Sequence, residues 1–477
     1  MSLKAKLARL KSAGPGSRAP QAPPRPELMA PSGALEEQAL EGLAPEDLAP
    51  EGLAPEDRER KARIAKLRGM LGQMIADEKR RLRDRPVVEP RESVPLPGET
   101  LQTPHGEVHR VASWLEPDHQ HGRVPIAGAL RIAPQTVAKL ALDEGLGGID
   151  PKRLVFLDTE TTGLAGGTGT LPFLIGVAWF EDESLRIEQL LLRAPGEETP
   201  MLRRLAEHLE GASAIVSYNG KSYDWPLLRT RFVLNRVPVA QPAAHLDLLH
   251  CARRVFKRRL GQVRLVHMEE HVLGMRREGD IDGAEIPERF WSFVRDADGS
   301  RLAPVIEHNA NDIVALCAIL VNLVERYEEV RPEHDPEDRL GVAQVAVRAA
   351  DPDRAMRWAE SAAEAGGPDD VTADALWLAA ELCRKRGDDE GRRALLHRAL
   401  ASAGGDARRT ARYHLALAKL YEHRLRDFER ALVHARATEA EEGEEARGRR
   451  VARVLRKLEK ARRQLQMAAD AAPPPGE

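Results

Sequence analysis

Between residues 151 and 330, short apolar runs alternate with helical stripes. Arg153-Leu154-Val155-Phe156-Leu157-Asp158 is an apolar run that ends in an acid, the pattern of a buried strand. Residues 171–180 and 185–193 read as two more strands, with Glu181-Asp182-Glu183-Ser184 as their hairpin turn. Thr199-Pro200 opens a helix, Thr199 as N-cap and Pro200 at its first position, and Gly211 closes it. Residues 214–218 form a fourth strand. Helices are predicted from 224 to about 235, with Pro226 tolerated in the first turn, from 245 to about 257, and from 304 to about 327. Three leading strands followed by helix, strand and helix predict an α/β mixed sheet with flanking helices.

Residues 335–468 carry helical periodicity and no strand signal. Asp353-Arg354-Ala355-Met356, Arg392-Arg393-Ala394-Leu395 and Glu429-Arg430-Ala431-Leu432 are similar phrases, with Ala-to-Ala steps of 39 and 37 residues. This spacing predicts an all-α domain of tetratricopeptide-like helix pairs. Residues 332–336 read as a linker between separable modules, and 469–477 as a disordered tail. From 86 to 150 the pattern is mixed. It holds His105, His109, His119 and His121, best read as loop histidines rather than a metal site.

Charge changes the picture at the N-terminus. Residues 1–26 carry six basic residues and no acid, residues 27–57 nine acids and no base, and residues 58–85 eleven bases against four acids. Residues 1–57 are expected to be a disordered basic and then acidic arm, and 58–85 a docking helix. The whole chain of 477 residues has a net charge of -3, so its overall balance says little about partners. Aromatics at 4% argue against a surface built mainly of base-stacking platforms. No run approaches 18 apolar residues, so no membrane span is expected. Cys251, Cys317 and Cys383 are far apart, which excludes a disulfide framework and a cysteine zinc site and suits a reducing cytoplasm.

Candidate chemistry lies in three stretches. Asp158-Thr159-Glu160-Thr161-Thr162-Gly163 ends the first strand, and in a strand residues i and i+2 share a face, so Asp158 and Glu160 aim at one point. Tyr218-Asn219-Gly220-Lys221-Ser222-Tyr223-Asp224 runs from a strand through a turn to an acid at a helix start, where Asp224 could equally cap the helix. In His308-Asn309-Ala310-Asn311-Asp312, Asp312 points along the apolar stripe of its own helix, one turn after His308. Four buried carboxylates would repel, and their charge matches two Mg²⁺ ions, which prefer oxygen ligands. Two such ions suit in-line hydrolysis of a phosphodiester.

These stretches resemble the three exonuclease motifs of the DEDD superfamily, which has a ribonuclease-H-like fold. The closer resemblance is to the YprB-type ribonuclease-H-like exonuclease family. It extends through 265–274, Gly279-Asp280-Ile281-Asp282-Gly283 and Glu285-Ile286-Pro287, and covers about 154–325. The resemblance implies that Asp158, Glu160, Asp224 and Asp312 ligate two Mg²⁺ or Mn²⁺ ions. It also implies that Thr161, Thr162, Gly163 and Leu164 lie near the terminal nucleotide, with Asn219 beside them. Superfamily members have a Tyr four residues before the final Asp or a His five before it. Here His308 stands four before Asp312 and Glu307 five before. An imidazole there could deprotonate the attacking water or simply orient Asp312.

Arg253, Arg254, Lys257, Arg258 and Arg259 form a basic stretch, read as a solvated face or as phosphate contacts, with Arg254, Lys257 and Arg258 the candidates. Residues 165–170 are Gly-rich but lack the Lys and the strand-to-helix setting of a nucleotide loop. Tyr223 and Trp225 flank Asp224 and read as core packing. The leading expectation is a two-metal 3′–5′ exonuclease acting on single-stranded DNA or RNA ends. Its repeats would bind a protein partner, such as a helicase or repair factor. The alternatives are a non-catalytic nucleic-acid-binding scaffold and a structure-selective endonuclease.

Overall fold

The computed structural model describes residues 94–163, 169–239 and 244–470. The N-terminal arm, the helix expected over 58–85, Leu164, most of the Gly-rich loop and residues 471–477 lie outside the described residues.

Strands β1 (Glu99–Thr103) and β2 (Gly106–Leu115) form a hairpin. The small pair β3 (Gln120–His121) and β4 (Val124–Pro125) follows, then β5 (Leu154–Thr161), β6 (Pro172–Glu181), β7 (Ser184–Leu191), β8 (Ala214–Ser217) and β9 (His245–Asp247). All but β3 and β4 join one seven-stranded sheet in the order β1-β2-β7-β6-β5-β8-β9. β5, β8 and β9 run parallel, and the other pairs are antiparallel. The helices are α1 (Pro134–Ala141), α2 (Glu198–Leu209), α3 (Asp224–Leu234), α4 (Leu248–Leu260), α5 (Leu265–Met268, continued by a π turn), α6 (Ile286–Asp296) and α7 (Ala303–Glu328).

The alternation of side chains along β5 sorts the two layers. Leu154 and Phe156 enter one core with Val216, Ala178 and the buried run 313–321 of α7. Val155 and Leu157 enter the other with Ile215, Val177, Leu205 of α2 and Phe232 of α3. By length and apolarity, residues 299–328 could cross a membrane. Here that apolar surface is taken up by the core beside the sheet.

Three local expectations are corrected. β1 and β2 come from the stretch read as loops. In β2 only the adjacent Val108 and His109 are buried, and residues 112–114 are exposed in a row, so it lacks clean alternation. His245–Asp247 is an edge strand, and α4 begins only at Leu248, capped by Asp247 through the Leu249 N–H. Thr199 is not a cap: α2 starts at Glu198, and the Thr199 hydroxyl donates to Asn235 Oδ1 at 3.1 Å. His109 and His121 are strand residues, on β2 and β3, and not loop histidines. His109 bonds the Pro97 carbonyl at 2.8 Å, and His121 bonds Glu269 at 2.8 Å.

The C-terminal region is all-helical: α8 (Pro336–Arg348), α9 (Pro352–Glu364), α10 (Asp369–Arg386), α11 (Asp389–Ala401), α12 (Ala407–Leu420), α13 (Phe428–Ala435), α14 (Glu439–Glu442) and α15 (Glu444–Asp470). Asp351, Asp388 and Asp427 cap α9, α11 and α13 in the same way, each accepting from the N–H three residues on. Buried alanines, among them Ala355, Ala359, Ala379, Ala380 and Ala431, let neighbouring helices approach closely.

These helices are docked on the sheet layer instead of trailing from a linker. Arg339 pins the connecting turn by donating to the carbonyls of Arg331, Pro332 and His334. α8 lies against α4, where a Cβ on Gly341 would stand 2.5 Å from the Val255 carbonyl oxygen. Arg259 pairs with Asp338 at 2.8 Å, and Lys139 with Asp351 at 2.7 Å. Arg258 pairs with Asp370 at 2.6 Å and Asp374 at 3.0 Å. One hydrophobic core runs from Val124 to Val454 across both parts. Gly341→Ala is therefore expected to lower the melting temperature, at a cost of about 1–3 kcal/mol. An unchanged thermal unfolding curve would mean that α8 can move off α4 freely.

Candidate metal centre

β5 delivers Asp158 and Glu160 on the face covered by α7, as their two-residue spacing requires. α7 lies close to the sheet there because β6 carries Gly176 directly opposite Asp158. A Cβ at Gly176 would stand 2.2 Å from both Asn309 Oδ1 and Ile313 Cδ1. Asn309 is fully buried and fixed from both sides. Its Oδ1 accepts from Gln189 Nε2 at 2.9 Å, and its Nδ2 donates to Asp158 Oδ2 at 2.8 Å. Gln189, Gly176 and Asp158 are cross-strand neighbours, so the relay crosses three strands at one level.

Asp224 arrives from the opposite layer. Thr159 points to the α3 side of β5, and its hydroxyl donates to Asp224 Oδ1. A tight turn sets up this approach. Asn219 adopts a left-handed conformation, and a Cβ on Gly220 would meet Ser217 Oγ at 2.4 Å. Asp247 holds the turn by accepting from the Asn219 and Lys221 N–H groups at 2.8 and 3.2 Å.

Asp312 completes the cluster from α7. It accepts from Arg277 Nη2 at 2.6 Å, and Arg277 also pairs with Glu269 at 2.8 Å and Asp280 at 3.1 Å. Asp280 in turn bonds His308 Nδ1 at 2.7 Å, while His308 Nε2 lies 3.7 Å from Asp312 Oδ2. Glu160, His308 and Asp312 each offer a ligand atom within 4.8 Å of one another. That group includes His308, for which the sequence left open a base role or the orienting of Asp312; Asp158 and Asp224 bond Asn309 and Thr159.

The electrostatics are those of crowded acids. Burial, then Asp312, Glu160 and Asp224, push the Asp158 carboxyl well above the usual range, and Asn309 only partly offsets this. Burial and the charges of Asp312, Asp224 and Asp280 do the same to Glu160. Burial lifts Asp224 to about 6 against the Thr159 hydrogen bond. Burial also raises Asp312, although Arg277 and His308 pull the other way. Hard, buried oxygen donors with unrelieved repulsion fit Mg²⁺ or Mn²⁺.

Thr161 and Thr162 shape the mouth of the site. The Thr161 hydroxyl donates to the Gly163 carbonyl at 3.1 Å, and Thr162 exchanges bonds with the Leu171 backbone at 3.0 Å. Among the described residues, nothing lies within 4 Å of where a Cβ on Gly163 would stand. Three residues of the basic stretch, Arg254, Arg258 and Arg259, are engaged by other parts of the chain. α4 starts at the carboxyl end of β9 and runs away from the carboxylates, so its last turns lie about 15 Å further along the helix axis. Arg254 donates to the Leu140 and Ala141 carbonyls, each at 3.0 Å, and Arg258 is held by Asp370 and Asp374. Lys257 is exposed there with no partner in the described residues. Tyr223 is exposed rather than core, whereas Trp225 packs against it. Asn309 and Asp280 stand in stretches quoted from the sequence without a role, and Gln189 and Arg277 were not singled out. An isolated glycine inside the apolar strand β6 was the available signal for a close approach.

The RNase H superfamily model matches residues 155–324, the segment that holds all four carboxylates. An uncharacterized protein, YprB of Bacillus subtilis (strain 168), is 30% identical over 288 residues, covering 60% of this chain and 68% of that protein. The chain belongs to the RNase H-like family that YprB represents. Fold and site together define a nuclease-type domain with a candidate acidic metal centre.

The raised pKa values carry a sign. The folded chain holds protons on these carboxyls that the unfolded chain has released, so this stabilisation is full below the unfolded carboxylate value of about 4 and is lost as pH rises through the folded values. For Asp224 the window ends near 6. His245, His334 and His434, each pushed down by burial to about 4, act in the opposite sense over the same interval. The readout is therefore the melting-temperature difference between metal-free wild type and Asp224→Asn. That difference should favour the variant increasingly from about pH 4 to about pH 6, by about 2 °C or more, and level off above. A difference that does not change with pH would contradict the burial assigned to Asp224 as the cause of its raised pKa.

Proposed function

We propose that this chain is a divalent-cation-dependent nuclease that removes nucleotides from the 3′ end of single-stranded DNA or RNA. The observation that carries the reading is the convergence of Asp158, Glu160, Asp224 and Asp312 at the carboxyl end of β5. Among the described residues, Arg277 is the one guanidinium or ammonium that touches any of the four. Asp158, Glu160 and Asp312 would hold two Mg²⁺ or Mn²⁺ ions from one face of the sheet, with Asp224 closing from the other. When bound, these ions supply an activated water and stabilise charge on the leaving oxygen. A terminal nucleotide would lie against Thr161 to Gly163, and Asn309 and Thr159 keep Asp158 and Asp224 in place. The docked helical hairpins resemble repeat modules whose surfaces bind protein segments, which supports recruitment of a protein partner such as a helicase or repair factor.

The test is a Mg²⁺- or Mn²⁺-dependent assay on end-labelled single- and double-stranded DNA and RNA. Wild type should release mononucleotides progressively from the 3′ end. Asp158→Ala and Asp224→Ala should fall to the level of a buffer blank while keeping a cooperative unfolding transition. Internal cuts on branched or duplex substrates would make the protein an endonuclease. Saturable nucleic-acid binding without cleavage under any metal condition would make it a scaffold.

A further inference from the structure

Asp280 lies outside the three motif stretches, on the loop after the π turn, yet it reaches the centre of the site. Its Oδ1 accepts from the Ile281 N–H at 2.9 Å and lies 2.7 Å from His308 Nδ1, while its Oδ2 takes Arg277 Nη1 at 3.1 Å. A carboxylate held this way by a backbone amide and a nearly buried guanidinium has one orientation. Burial alone would raise its pKa, but His308 and Arg277 more than offset that, and the carboxyl sits below its ordinary value. It is therefore an ionised acceptor that demands a proton from Nδ1. A neutral imidazole carries one N–H, so a proton on Nδ1 leaves Nε2 with its lone pair. Nε2 is the nitrogen that faces Asp312, 3.7 Å from its Oδ2, and the ring offers one nitrogen within 4.8 Å of ligand atoms of Glu160 and Asp312.

We propose that Asp280 is a positioning residue that fixes His308 as the Nδ1–H tautomer, with Nε2 presented to the carboxylate cluster as a proton acceptor. The catalytic part of this inference rests on the nuclease reading above. In that reading the water oxygen bonds to phosphorus, and the bond from phosphorus to the 3′ oxygen of the preceding nucleotide breaks. The water proton passes to Nε2, and the 3′ oxygen takes a proton from solvent. The imidazolium so formed keeps Nδ1–H on Asp280, whose negative charge stabilises it, and then returns the proton to solvent. Without Asp280 the ring has no fixed acceptor at Nδ1. It is then free to put its proton on Nε2 and turn a donor toward the site. Arg277 keeps Asp312 and Glu269 as partners, so loss of Asp280 need not release it.

The test uses the full chain, metal-free, labelled with ¹⁵N-histidine at pH 8.5, with the His308 signals identified by their absence in His308→Ala. Nitrogen shifts and long-range couplings report which ring nitrogen is protonated. Wild type should show Nδ1–H and a lone-pair Nε2. Asp280→Asn keeps an accepting oxygen and should keep this tautomer, whereas Asp280→Ala should move toward Nε2–H. In the nuclease assay, Asp280→Ala should lower kcat by about 10–100-fold with little change in KM, and Asp280→Asn should recover most of the loss. An Nε2–H form in wild type, or an unchanged tautomer in Asp280→Ala, overturns the assignment even if the protein proves to have no nuclease activity. A tautomer change that leaves kcat untouched in an active enzyme overturns the catalytic part.

Discussion

Mutual repulsion among four carboxylates, gathered where one strand ends, organises the rest of this molecule. Each carboxyl comes from an element whose placement is enforced elsewhere. Asp158 and Glu160 come from a strand buried on both faces, Asp224 from a helix start behind a left-handed turn, and Asp312 from the longest apolar helix of the sheet layer. Left unrelieved, such crowding favours protonation or displacement of the acids. The chain limits displacement with neutral donors, Asn309 on Asp158 and Thr159 on Asp224. It spends a guanidinium only on Asp312. Neutral donors fix direction without cancelling charge, so the cluster keeps its negative potential.

The same need for rigidity accounts for how the helical region is attached. α7 carries Asn309 and Asp312 at one end and packs through buried aliphatic positions toward the core shared with the C-terminal helices at the other. α4 begins beside the Asp224 turn through Asp247 and ends against α8. Both helices thus connect the carboxylate cluster to the docked hairpins. The basic turn of α4 serves that attachment, since Arg258 and Arg259 spend their charge on Asp338, Asp370 and Asp374.

The central strands and the four acids were legible because they depend on local rules: an apolar run ending in an acid, a two-residue face and a helical stripe. Residues 99–115 were not legible, since an edge hairpin buried only in part gives no clean alternation. Arg254 and Arg258 looked like phosphate contacts because sequence shows their density and not the acids of α10 or the carbonyls of α1 that meet them. Asn309 was quoted within its motif, yet its role depends on Gln189, 120 residues away, and on the missing side chain of Gly176. Asp280 stands in a stretch that carried the family resemblance without a role and Arg277 just before it, and only the fold brings them beside Asp312. The tetratricopeptide-like spacing pointed to helix pairs, and the recurring caps at Asp351, Asp388 and Asp427 follow it, but nothing in that spacing told that the first pair would bury a face against the sheet layer.

The central claim is that the cluster is a cation site completed from solution. Calorimetric titration of Mn²⁺ into the metal-free chain at pH 7, repeated in two buffers of different ionisation enthalpy, tests it most directly. The account predicts two ions bound per chain, with protons released as the raised carboxyls ionise. Absence of saturable binding, or binding with no proton release, would contradict it.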